Sequence, residues 1–248
     1  MKFEVPVEIV LECAKFAVAV EQSGRQFGSQ DQRGRAQMIL DTFEGKLAEI
    51  ALALLVRGYG YEASLDFELY ALGQGDGGSD LSVLARDGEA RLLTRKVDVK
   101  GIGPRSGWLL VEKHKFGADF YVLVRHRLSR EQLHRMVVVE RRLEAIPVEV
   151  VGFASRLMFT APDGLPYVEL SRGERLRALP DIWQTDRPDS MGWLQVFRNG
   201  WPSWPEMGPR LDAPKNVGLF ARWLSTDFDH LLNHLWETAI PAEPAEAA

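Results

Sequence analysis

The chain has 248 residues, 46% of them hydrophobic and 26% charged, with a net charge of −5. That is the balance of a globular protein with enough chain for a full core. Its single cysteine, Cys13, excludes an intramolecular disulfide and fits a reducing compartment. Its apolar runs fall far short of the ~18 residues of a membrane span. Glu4, Glu8 and Glu12 do not fit the basic-then-apolar layout of a signal peptide, so the expected location is the cytoplasm, with no membrane partner.

Residues 6–21 predict a helix with Ile9, Leu11, Phe16, Val18 and Val20 as apolar positions, and Cys13 within it reads as a small buried hydrophobe. Gly24 to Gln32 is polar and reads as a loop. A longer helix follows from about Arg35 to Val56. Its residues Leu40, Phe43, Leu47, Ile50 and Leu54 recur at three- and four-residue steps, and Gly58 and Gly60 end it. Past Ile50 this helix is apolar all round, so an acid at its edge, Glu49, needs a partner: a metal ion, Arg or Lys.

Four strands are expected at about 62–70, 80–86, 91–101 and 118–126. Gly73 to Gly78 forms a loop before the second, and no Gly-Lys-Ser/Thr follows to make it a phosphate-binding loop. Asp87-Gly88 predicts a hairpin turn between the second and third strands. A helical or irregular connection near 106–117 would return the chain to the fourth. The expected architecture is α/β (α+β), a mixed central sheet flanked by helices.

Ser129 to Arg135 predicts a short helix capped by Ser129, and Val148 to Ala154 a strand. Residues 160–215 are rich in Pro, Gly and Trp, with Trp183, Trp193, Trp201 and Trp204 close together and a turn signal at Asn199-Gly200. Such Trp residues form the core of an irregular subdomain more often than they stack on bases. Ala221 to Thr238 predicts a final amphipathic helix, and Pro241 to Ala248 a disordered tail.

Lys96-Val97-Asp98-Val99-Lys100 carries the chemistry. As a strand it turns Asp98 and Lys100 to one face and Val97 and Val99 to the other. Asp80, in Gly78-Ser79-Asp80-Leu81, adds an acid at the entrance of another strand, and Glu49 adds one on a helix. Asp80 and Asp98 would bind Mg²⁺ or Mn²⁺ through hard carboxylate oxygens, with the Val99 carbonyl a further ligand. Lys100 would orient or help deprotonate an attacking water and stabilise charge on a phosphate. The bland alternative is a salt-bridge network in which Lys100 neutralises Asp80 and Asp98. Glu44 rivals Glu49 as the helical acid, and Glu44-Gly45-Lys46 is a decoy acid-x-Lys triplet in a helical pattern.

The order and spacing of Glu49, Asp80 and Asp98-Val99-Lys100 resemble the PD-(D/E)XK nuclease superfamily, which includes many restriction endonucleases and Holliday-junction resolvases. The resemblance covers roughly residues 35–127. The segment Gly117 to Val124 is similar to the core strand that often follows the D-x-K strand there, and one departure is that Ser79, not Pro, precedes Asp80. The resemblance implies a restriction-endonuclease-like core over residues 35–155. Around it lie an N-terminal helical extension over 1–34, a C-terminal irregular Trp/Pro-rich accessory subdomain over 156–240, and a tail over 241–248. It also implies that Glu49 completes the metal site or holds a second ion. The implied activity is metal-dependent endonuclease cleavage, in restriction or defence, or in repair of branched or damaged DNA. A non-catalytic nucleic-acid-binding or protein-interaction module on the same fold is the alternative.

Charge distribution fits a nucleic-acid partner better than net charge does. Residues 86–142 hold fourteen Lys and Arg against seven Asp and Glu, a local balance of +7 that leaves −12 for the rest. Lys96, Arg105, Lys113, His114, Lys115, Arg125 and Arg127 are the candidate phosphate contacts, with Arg130, Arg135, Arg141 and Arg142 as further anchors. The expected partner is DNA, with RNA left open, and a homodimer would suit cutting both strands at a two-fold site. His230 and His234 have the i, i+4 spacing of helix-borne zinc ligands but lack a third.

Overall fold

The computed structural model describes residues 1–23, 34–64, 79–104, 106–159, 168–172, 176–177, 206–207, 215–221 and 224–242. The expected loops at Gly24–Gln32 and Gly73–Gly78, Arg105, the four Trp of the Trp-rich segment, the Asn199-Gly200 turn and most of the expected tail lie outside these.

The protein is mixed α/β, with mostly antiparallel strands flanked by helices. Two helices form as their periodicity dictates. Helix α1 (Val7–Gln22) buries Val10, Cys13, Ala14, Ala17 and Val20, and helix α2 (Arg35–Gly58) buries Leu40, Phe43, Leu47, Ile50, Leu55 and Val56. The chain leaves α2 through Gly60, whose φ of +81° favours glycine.

These helices pack on a four-stranded sheet of order β1-β8-β7-β5, built from β1 (Lys2–Val5), β8 (Ile146–Ser155), β7 (Phe120–His126) and β5 (Val97–Ile102). Strands β5 and β7 run parallel and the other pairs antiparallel, so β5 is an edge strand. Val97, Val99, Val122, Val124, Val148 and Val150 face the helices in the main core. On the opposite face Tyr121, Leu123 and Ala154 meet Leu109, Val111, Val217 and Leu219 in a second core. That core is covered by a sheet of β6 (Trp108–Glu112), β12 (Lys215–Phe220) and β9 (Val168–Ser171). A third sheet, β13-β4-β3-β2, joins β2 (Glu62–Ala63), β3 (Val83–Arg86), β4 (Glu89–Leu92) and β13 (Ile240–Pro241). Two short strands, β10 (Leu176–Arg177) and β11 (Glu206–Met207), pair with each other. The last helix, α4 (Phe228–Thr238), buries Leu231, Leu232 and Leu235 in the main core. The chain beyond residue 155 therefore supplies both cores.

Several expectations need correction. The expected strand 91–101 is two strands in different sheets, β4 and β5. Between them Leu93 N–H bonds back to the Ser82 carbonyl, while Lys96 bonds to Asp119 and Phe120, so the chain changes sheets at residues 93–96. The expected connection at 106–117 contains β6, hidden because Trp108 to Val111 is a continuous apolar run with no alternation to mark a strand, and then a 3₁₀ turn at Lys113–Lys115. Strand β1 occupies part of the expected N-terminal helical extension. The strand expected at 80–86 begins only at Val83, and the one expected at 62–70 is described only for Glu62–Ala63. The last helix starts at Phe228 under an Asp227 cap instead of at Ala221, since Ala221 N–H bonds to the Gly107 carbonyl and Ser225 bridges to Phe153 of β8. The Asp87-Gly88 turn forms as read, both residues at positive φ (52° and 82°). Ser129 and Gln132 make a reciprocal capping box on α3 (Arg130–Leu133). Among the described residues no helix is long and apolar enough to cross a membrane.

Candidate functional site

The site is built around the free edge of β5. An edge strand leaves its outward N–H and C=O groups unpaired, and residues 79–80 take up both groups of Val97 and the N–H of Val99. Asp80 N–H donates to the Val97 carbonyl at 2.8 Å. Val97 N–H donates to Ser79 Oγ at 3.2 Å, and Val99 N–H to Asp80 Oδ2 at 2.6 Å. Ser79, standing where the family resemblance expects Pro, therefore has a task here that Pro lacks the hydroxyl to perform. Asp80 sits in an irregular segment ahead of β3, held by backbone bonds to the very strand that carries Asp98.

Along β5 the burial alternates as the sequence predicts, with Val97 and Val99 buried and Asp98 and Lys100 only partly so. Lys100 Nζ donates to Asp98 Oδ1 at 2.7 Å. From the helical side, Glu49 on α2 accepts from Lys46 Nζ at 2.6 Å. Asp80 reports how close these groups lie. Its carboxyl is pushed up to about 8, first by burial and then by the negative charge of Glu49; Asp98 adds to the effect, while the Val99 N–H and Lys100 oppose it. The four residues Glu49, Asp80, Asp98 and Lys100 thus share one electrostatic neighbourhood.

Glu44 goes elsewhere. It accepts from Arg130 Nη1 at 2.7 Å and lies 3.3 Å from His126 Nε2, and Arg130 also clasps Asp41. His126 is 3% exposed, and neither ring nitrogen has a hydrogen-bond partner.

The donor chemistry suits a hard divalent ion. Asp80 Oδ1 and Asp98 Oδ2 are the oxygens not used in the bonds above. The N–H and C=O of a strand residue point the same way, so the Val99 carbonyl faces the same edge. Three carboxylates stand against two ammonium groups. Among the described residues, however, no group of three or more His, Cys, Asp or Glu side chains is arranged to hold a metal ion. Glu49 and Asp98 are each turned towards a lysine.

The expected phosphate contacts are dispersed. Lys96 is exposed just before β5, and Arg127 is exposed after β7. Lys113, His114 and Lys115 form an exposed 3₁₀ turn after β6, with Lys115 Nζ 2.5 Å and His114 Nε2 3.4 Å from Glu112. Arg125 is partly buried and tied to Glu149 and to the Ser106 carbonyl, each at 3.3 Å, so it acts as a cross-strand brace. Arg135 and Arg142 lie 3.8 Å and 4.0 Å from Glu140 and Glu144. His230 is exposed on the first turn of α4, while His234 packs its ring 5.9 Å from that of Phe120. The zinc reading has no third ligand among the described residues.

Sequence reasoning missed Lys46 and His126. The signal for Lys46 was its i, i+3 spacing to Glu49 on an increasingly apolar helix. His126 had no signal beyond its place at the end of an apolar strand. Cys13 is buried beside the Lys46–Glu49 pair, and burial pushes its thiol up to about 12, which suits the inert apolar role read from the sequence. A scan against protein-family models, a search of curated proteins and a search of solved structures each return no match.

Proposed function

We propose that this chain is a divalent-metal-dependent nuclease that hydrolyses phosphodiester bonds in DNA. In this reading Asp80, Asp98 and the Val99 carbonyl hold Mg²⁺ or Mn²⁺, Glu49 adds negative charge beside them while paired with Lys46, and Lys100 works on the phosphate. The observation that carries it is the placing of Asp80 against the strand that bears Asp98, its carboxyl bonded to the Val99 N–H and pushed up to about 8, first by desolvation and then by the charge of Glu49. Such a concentration of negative charge favours a bound cation.

When bound, the ion would acidify a coordinated water and offset charge on the phosphate. The protein's own groups do the rest. Lys100, now hydrogen-bonded to Asp98, orients the attacking water and donates to a non-bridging phosphate oxygen as charge builds there. The water oxygen bonds to phosphorus and gives up a proton to solvent as the bond to the leaving oxygen breaks, and that oxygen takes a proton from solvent. Exposed Lys96, Arg127 and the Lys113–Lys115 turn supply the positive charge expected of a phosphate-binding surface.

The pairing of Lys100 with Asp98 and of Lys46 with Glu49 favours a second reading, a structural ion network on a non-catalytic module. One experiment separates the two. Purified protein is incubated with supercoiled, linear, single-stranded and junction DNA in Mg²⁺, Mn²⁺ or EDTA, beside folded Asp98→Ala and Lys100→Ala proteins. Metal-dependent cutting that disappears in both variants is the expected result, and the preferred DNA ranks restriction against repair. Absence of cutting, or cutting unchanged in both variants, removes this site from consideration.

A further inference from the structure

Lys46 is an unusual residue for its position. Its side chain is only 9% exposed, in the half of α2 that enters the core. Its Nζ lies 2.6 Å from Glu49 Oε2 and 4.8 Å from the centre of the Phe16 ring on α1. Lysine is seldom buried without a paired charge, and here the ion pair on one side and the aromatic face on the other fix the ammonium in place. Cys13, also on α1, is buried within electrostatic reach of the pair. Glu49 therefore meets an internal cation at hydrogen-bonding distance.

We propose that Lys46 is a built-in counter-ion that reserves Glu49, so that the centre takes one divalent ion per chain, on Asp80 and Asp98, and not two. The inference rests on the metal-dependent reading above and deepens it. The Lys46 ammonium occupies the place that a second ion would need beside Glu49. Lys46 is thus a positioning residue that sets the number of ions.

The test counts Mn²⁺ bound per folded chain, by electron paramagnetic resonance of free Mn²⁺ and by titration calorimetry, with circular dichroism to check folding. The full chain should bind one ion, and Asp98→Asn should abolish it. Lys46→Met should bind a second ion, or bind the first about tenfold more tightly. Lys46→Met combined with Glu49→Gln should lose that gain, and Lys46→Arg should keep the count at one. Should Lys46→Met fail to fold, Lys46→Gln carries the test, since its amide still donates to Glu49 without a charge. Two ions on the unaltered chain, or neutral Lys46 variants identical to it in count and affinity, would overturn the role of Lys46 while leaving the metal reading intact. No ion on any variant would remove the metal reading, and the role of Lys46 with it.

Discussion

Glu44 and Glu49 lie five residues apart on one helix, and each belongs to a cluster of charges. In the first cluster Arg130 spans Asp41 and Glu44, with His126 against Glu44. One guanidinium there joins α2 to α3, and the result is a clasp. In the second cluster Glu49, Asp80 and Asp98 share two lysines, each bonded to one acid, and Asp80 is left to a backbone N–H. Residue types hardly distinguish the two. The bonding does, because in the second the partly buried Asp80 carboxyl accepts from a backbone N–H, where both acids of the first accept from a guanidinium.

That contrast breaks most sharply in catalysis. Asp98→Ala and Lys100→Ala should each lower DNA cutting by roughly 100-fold or more, the usual scale for losing one group that stabilises transition-state charge. Asp41→Ala, which opens the clasp, should leave cutting within about threefold. Single-turnover cleavage of labelled duplex checks both.

The next largest effect concerns how the helix meets the strand. A methyl group at Gly101 would sit 3.0 Å from the Glu44 carbonyl and 3.4 Å from Ala48 Cβ. Gly101→Ala should therefore push α2 away from the strand carrying Lys100, at a cost of about 1–3 kcal/mol, visible as a lower denaturant midpoint.

A subtler signature is the pH dependence of the metal-free protein. The Asp80 carboxyl is raised in the folded chain, so folding favours its protonated form. Its contribution is fully present below the ordinary carboxylate range and is lost as pH rises towards about 8, after which it levels off. The melting temperature in EDTA should fall across that window, and Asp80→Asn should flatten the curve. The smallest effect is the clasp's own. Asp41→Ala should cost about 0.5–1 kcal/mol in thermal melts, since its Arg130 partner is partly exposed to solvent.

The sequence made the site more legible than the frame around it. Alternation in Val97-Asp98-Val99-Lys100 settled which side chains face the core, since burial of one strand face admits a single register. Periodicity likewise marked α1 and α2, and local turn chemistry marked Asp87-Gly88 and the Ser129 cap. Strand β6 was hidden because its run Trp108 to Val111 carries no period, and β12 because its pairing with β6 links residues about a hundred apart in the chain. Its place beside the buried run, together with the family resemblance, favours Glu49 over Glu44, but its lysine partner lies inside the decoy triplet Glu44-Gly45-Lys46. Partners of a half-buried acid depend on side-chain direction as well as spacing, and a linear reading does not supply that.

The long-range pairing of β6 with β12 has a consequence for the birth of the protein. Asn216 pairs with Glu112, so during synthesis β6 emerges about a hundred residues before its neighbour. At about 5–20 residues per second, it waits roughly 5–20 s with Trp108, Leu109 and Val111 uncovered. A ribosome stalled in that interval would present a sticky half-built layer, and the nascent chain should be a client for chaperones that hold apolar segments until translation passes residue 220.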